Sequence, residues 1–126
     1  MVQEFDNTLY IRLGEDKIKD LVNAFYERVY KHPVLIPIFD TNSIDEIKEK
    51  QFRFLTQFLG GPPRYIEKYG PPRMRQRHLP HRIDQNAMIA WLSCMKEAIS
   101  TLALSEEIAD ELYNKFPQLA QHMVNS

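Results

Sequence analysis

Apolar residues recur along this chain at steps of three and four, the spacing of one helix face, and no stretch alternates as a strand would. Ile18, Leu21, Val22, Phe25 and Val29 form the first stripe. It predicts a helix from Glu15 to Tyr30 that begins past Gly14 and is stopped by His32-Pro33. A short turn over 34–38 follows and carries Phe39. Asn42-Ser43 offers a cap for a second long helix, Ile44 to Leu59, which halts at Gly60-Gly61-Pro62-Pro63. Met88, Trp91, Met95, Ile99 and Leu102 line a third helix, and Ile108, Leu112, Phe116, Leu119 and Met123 line a fourth. Pro117 should kink or interrupt that last helix, because proline lacks a backbone donor and clashes one turn back.

Between the second and third helices the pattern fails. Five prolines and three glycines fall within residues 60–83, and only Arg73–Leu79 reads as a brief helix. Loops of that length inside a compact domain are uncommon and usually functional. The expected architecture is therefore all-α and a single domain over residues 1–126. Four substantial helices alone would make a simple bundle. The long insertion points instead to an interior partly filled by something other than protein.

Composition narrows the class without naming a function. At 126 residues one domain of this size buries roughly two-thirds of its unfolded surface. A hydrophobic share of 44% suits a real core, and a net charge of -1 offers no general attraction to nucleic acid or anionic membrane. Cys94 stands alone and cannot form an internal disulfide. No apolar run approaches the length of a membrane span, and the polar, acidic N-terminus does not read as a leader. The expectation is a cytoplasmic protein with no nucleic-acid or membrane partner.

Four residues stand out chemically. His78 shares a helical face with Met74, and Arg73, Arg75 and Arg77 surround it. An imidazole beside a thioether, ringed by cations, suits an axial iron ligand on a porphyrin whose propionates need positive partners. It equally describes an exposed histidine in a solvated arginine run. Gln51 sits within the stripe Ile44, Ile47, Phe54, Leu55, Phe58. A buried amide left unpaired costs on the order of 1–3 kcal/mol, so it must find a backbone partner or a ligand. Tyr26 lies at the edge of its helix's apolar face, as an interface tyrosine does, and could also turn its hydroxyl into a pocket. Trp91 fits core packing, yet a buried indole N–H seeks an acceptor.

Other groupings are weaker. His78 and His81 are three apart but separated by Pro80, and Cys94, His122 and His32 add no zinc-like spacing. Asp45, Glu46 and Asp84 read as surface charge. Gly60-Gly61 precedes two prolines rather than a helix start, so it is no phosphate loop. The basic stretch 73–82 lacks the pattern of a recognition helix. No C-x-x-C-H motif occurs, so any haem would lack thioether links.

Several segments, taken in order, carry a resemblance: Ala24-Phe-Tyr-Glu-Arg-Val29, Pro37-Ile-Phe39, Phe54-Leu-Thr-Gln-Phe-Leu-Gly-Gly-Pro-Pro63, Arg75-Gln-Arg-His-Leu-Pro80, Ala90-Trp-Leu-Ser-Cys-Met95 and His122-Met-Val-Asn125. Over nearly its whole length the chain resembles the group II truncated haemoglobins of Bacillus-like bacteria. The resemblance implies a truncated globin, a two-over-two helical sandwich around haem b held without covalent links. His78 then matches the proximal iron ligand, and Tyr26, Gln51 and Trp91 match the distal residues that bind O2. Phe39 matches the ring packed on the haem, Ile47 the distal gate, Lys50 and Arg77 the propionate partners, and Tyr65 a further haem contact. Phe54, Met74 and Trp91 complete the cofactor-binding set. The chain departs from the family in a bulkier Ile47, in His81 where phenylalanine is usual, in Tyr69-Gly70-Pro71, and in Pro117.

The implied activity is O2 binding at a penta-coordinate ferrous haem with distal hydrogen-bond stabilisation, with CO and NO as alternative ligands. An unidentified reductase and a monomer or weak homodimer complete the expectation. NO or peroxide detoxification would follow from the same chemistry, and the residues do not by themselves assign enzymatic turnover. The rival readings are a haem-free helical interaction module and a zinc-assisted hydrolase using His78 and His81.

Overall fold

A computed structural model describes residues 8–37, 44–71 and 83–124. Every regular element among them is a helix: α1 (Leu9–Leu13), α2 (Glu15–Val29), α3 (Ile44–Phe58), α4 (Arg64–Tyr69), α5 (Gln85–Ser100), α6 (Glu106–Tyr113) and α7 (Phe116–Met123). Their starts follow local chemistry. The Thr8 hydroxyl accepts from the Ile11 amide, Asp84 from the Ala87 amide at 2.9 Å, and Ser105 from the Ile108 amide. Each relieves a backbone donor that a first turn leaves unpaired. Glu15 and Asp16 open α2, and Asp45 and Glu46 open α3, where the helix dipole favours negative charge. Gly14 separates α1 from α2 with a φ of 84°, a conformation that a side chain would strain.

The layers come from α2, which packs both on α3 and across α5, while α5 in turn packs on α6 and α7. One pair of helices, α2 and α3, thus faces a second pair, α5 and α7. Ile18, Leu21, Phe25, Val29, Leu55, Met95, Leu112 and Phe116 are closed off from solvent between them. α4 rests against α3. The approach of the 60–63 turn to the N-terminal helix is close: a Cβ on Gly61 would stand 2.6 Å from the Tyr10 ring and 2.8 Å from the Thr56 carbonyl oxygen.

The two long helices near the N-terminus fall where the periodicity places them, each ending one residue early. The turn after α2 spans 33–37. The fourth predicted helix is two, α6 and α7, with Pro117 in the first turn of α7, where its missing N–H costs nothing. Two helices were not expected. α1 is a single short helix ahead of Gly14. α4 lies inside the stretch read as irregular; it starts after Pro62-Pro63, buries Tyr65 and ends at Gly70, whose φ is 79°. Six residues carry too little periodicity to announce themselves. The α5 stripe is also shifted. Its deepest residues are Ala87, Ala90, Cys94, Met95, Ala98 and Ile99; small residues let α2 approach, and Met88 and Trp91 are only half-buried. The helix expected over Arg73–Leu79 lies outside the described residues, as does the Asn42-Ser43 cap.

Phe116 joins the two layers at their centre, so Phe116→Ala should lower the unfolding free energy by about 3–5 kcal/mol. Removing the α6 cap with Ser105→Ala should cost only about 1 kcal/mol. Urea unfolding followed by circular dichroism measures both.

Candidate functional site

α2 carries two adjacent aromatic residues inward. The Phe25 ring meets Tyr26 edge-on at 5.0 Å between centroids and meets Trp91 of α5 in the same manner at 5.1 Å. Edge-to-face contact sets the positive rim of one ring against the negative face of the other. The consequence is positional: a phenol from α2 and an indole from α5 are both held against one ring. Tyr26 is only 4% exposed, deeper than the edge position that its helix stripe suggested. Burial, and then the neighbouring Tyr30 phenol, push the Tyr26 hydroxyl well above the ordinary range, so it stays protonated.

The remaining aromatic residues extend this arrangement around the core. Trp91 leans on Phe116 at 5.8 Å, Phe116 on Phe58 at 5.9 Å, and Phe58 stacks with Phe54 at 5.4 Å. Phe54 then meets Tyr65 of α4 edge-on at 5.9 Å, and Tyr65 lies 5.0 Å from Tyr69. Five helices, α2, α3, α4, α5 and α7, therefore contribute to one chain of ring contacts that runs from Tyr26 to Tyr69. Gln51 stands one turn before Phe54 on α3 and is half-buried, and so is Ile47, which packs on the core. α3 packs on α2.

The rim near α4 is charged. The Lys50 ammonium lies 5.4 Å from the centroid of Tyr69, and that of Lys68 lies at the same distance. Lys50 also reaches Glu46 at 3.7 Å, one turn earlier. Glu49 accepts from Lys68 at 2.8 Å and from Arg53 at 3.1 Å, and these partners hold its carboxyl below the usual carboxylate range. On the far side of Tyr26, Asn23, Glu27, Tyr30, Lys31, Ile36, Ile44 and Lys48 surround a groove of about 600 Å³ that also touches Tyr26.

Of the predicted site residues, Tyr26, Trp91, Phe54, Tyr65, Gln51, Ile47 and Lys50 thus gather on α2, α3, α4 and α5. His78, Met74, Arg77, Phe39 and His81 lie outside the described residues. Phe25, the ring that relates Tyr26 to Trp91, was read only as one more core position. Tyr30, Tyr69 and Phe116 were likewise not read as neighbours of the site. Nothing in a linear pattern reports which rings meet across helices. Among the described residues no three metal-ligating side chains converge, and Cys94 is buried with its thiol pushed up by burial. No described helix is long and apolar enough to cross a membrane.

The model of the bacterial-like globin family matches residues 8–125 of this chain. The chain is 47% identical over 125 residues to the group 2 truncated hemoglobin YjbI of Bacillus subtilis (strain 168), covering 99% of this chain and 93% of that one. It superposes with a TM-score of 0.89 on the crystal structure of the group II truncated hemoglobin from Bacillus anthracis, at 42% identity over 94% of this chain and 92% of that one. The truncated oxygen-avid haemoglobin from Bacillus subtilis matches with a TM-score of 0.88 and 47% identity, over 94% of this chain and 100% of that one. A plant relative, the group 2 truncated hemoglobin 3-1 of Lotus japonicus, is 31% identical over 93% of this chain and 69% of its own length.

The raised Tyr26 phenol has a consequence for stability. An unfolded chain ionises its tyrosines above pH about 10, whereas folded Tyr26 holds its proton to higher pH. The unfolded state then binds fewer protons, and stability falls as pH rises beyond that point. Wild type should lose more melting temperature between neutral and strongly alkaline pH than Tyr26→Phe does, as calorimetry across that range would measure.

Proposed function

The chain belongs to the bacterial-like globins, among the group II truncated haemoglobins, and on that premise we propose that it binds dioxygen reversibly at a penta-coordinate ferrous haem b held without covalent links. The observation that carries this reading is the pair of donors, buried Tyr26 and half-buried Trp91, both packed against Phe25. The two-over-two sandwich of the family corresponds to α2 and α3 facing α5 and α7. Bound there, haem supplies an iron that takes a diatomic ligand and exchanges single electrons.

The residues fit such a group. A porphyrin needs flat apolar walls, and Phe54, Tyr65 and the half-buried Ile47 offer them. Its propionates need cations at the rim, where Lys50 stands beside Tyr69. On the family resemblance, His78 would hold the iron, Arg77 would be a second propionate partner, and Phe39 and Met74 would contact the ring.

The distal residues do their work by donating. Tyr26 keeps its proton at neutral pH because burial disfavours the phenolate, so its hydroxyl is a donor there. Trp91 offers an indole N–H and can only donate. Gln51 adds an amide from α3. On a ferrous haem these donors would favour dioxygen, whose oxygens would carry partial negative charge, over carbon monoxide, which would carry less. Each good donor contributes about 1–3 kcal/mol, and about 1.4 kcal/mol is tenfold in affinity. Two or three of them make release slow. Slow release suits chemistry on the ligand, such as oxidation of NO or consumption of peroxide, better than bulk delivery. An external reductase would then restore the ferrous state.

Two measurements test this. After hemin is added and the excess removed by gel filtration, a Soret band should elute with the chain, and His78→Ala should lose it. A protein fraction that carries no such band would instead favour a haem-free helical module. In the holoprotein, Gln51→Ala and Trp91→Phe should each speed dioxygen dissociation several-fold by stopped flow. Unchanged rates in both would remove the donor role.

A further inference from the structure

α4 has only six residues, Arg64–Tyr69, set between Pro62-Pro63 and Gly70. A helix that short has no stability of its own, so its place depends on what grips it. Two grips come from α3, on which it rests. The Gln57 side-chain carbonyl accepts from the Ile66 amide at 3.0 Å, and Glu49 accepts from Lys68 at 2.8 Å. Another comes from α2, where Glu15 forms an ion pair with Arg64.

The Glu15 carboxylate serves a third helix as well. The Tyr10 hydroxyl of α1 donates at 2.9 Å to the same oxygen that Arg64 meets. One carboxylate at the start of α2 thus joins α1, α2 and α4. The backbone leading into α4 is pressed into this junction. The Gly61 amide donates to the Thr56 carbonyl at 2.8 Å, and a Cβ on Gly61 would collide with the Tyr10 ring. The segment 61–64 is therefore held at its start by Tyr10 and Thr56, and at its end by Glu15.

What this arrangement fixes is Tyr65. It follows Arg64 directly, is only 4% exposed and meets Phe54 edge-on. Resting on the haem reading above, in which Tyr65 is a wall of the site, we infer that Glu15 and Arg64 are positioning residues for haem retention. Their ion pair keeps α4 closed and so keeps Tyr65 in place. The two side chains are 36% and 35% exposed, and a pair in that setting adds little to global stability. Opening α4 alone costs far less than unfolding the chain. The same pair is therefore a large part of the local cost and a small part of the global one, and escape of hemin reports the first.

The test mixes hemin-loaded protein with excess apomyoglobin and follows hemin transfer by the Soret band. Arg64→Ala and Glu15→Gln should each speed hemin loss about two- to fivefold, the range that an exposed ion pair allows. Arg64→Lys keeps the cation and should restore most of the slow loss. Arg12→Ala removes a pair of similar exposure, with Glu111, that joins α1 to α6, and should leave the rate unchanged. Tyr65→Leu should itself speed loss, and Arg64→Ala should add nothing to it, because the ion pair acts through Tyr65. A wild-type rate in Arg64→Ala would overturn the inference. So would equal acceleration in Arg12→Ala, or a full additional effect of Arg64→Ala on Tyr65→Leu. Each of these outcomes spares the haem reading, whereas a chain that takes up no hemin would overturn both.

Discussion

Phe25 is the ring on which the two layers meet. It lies on the buried face of α2, presents edges to Tyr26 and Trp91, and so couples a phenol of one layer to an indole of the other. The Tyr26 phenol is thereby kept among apolar surfaces, while Trp91 is half-buried. The rest of the architecture serves that contact. Ala87, Ala90, Cys94 and Ala98 keep α5 thin enough for α2 to approach, while Phe116 and Phe58 close the ring of aromatic contacts toward α3.

A site made this way is electrostatically asymmetric. Low dielectric around Tyr26 holds its proton in place and makes the hydroxyl a donor over the whole neutral range. At the α4 rim the charges are dense but paired: Glu46 with Lys50, and Glu49 with Lys68 and Arg53. Exposed pairs of this kind add little to stability. Their effect is local, in setting cations over Tyr69 and leaving the Tyr30 side open to a groove.

Much of this was legible before any coordinates. The 3.6-residue stripe located α2 and α3 to within a residue at their ends, because each exceeds three turns and buries one continuous face. Pro117 was read as an interruption and stands in the first turn of α7. The short helices were not legible. α1 and α4 have five and six residues, and a segment of one or two turns owes its helicity to what it packs on rather than to its own pattern. Tyr26 illustrates the same limit within the site. Its helix position suggested a half-wet edge, and only the overlying α3 and α5 make it buried.

The order of apolar and polar residues by itself determined that the chain is helical, where its long helices run, and which family it resembles. The types of residue able to donate to a ligand, Tyr26, Gln51 and Trp91, were also named from sequence, since periodicity reports which face of a helix turns inward. Their grouping was decided by tertiary structure alone. Periodicity carries no information on the angle or depth at which one helix crosses another, and the Phe25–Trp91 contact and the Lys50 contact with Tyr69 both arise from side chains meeting across such crossings.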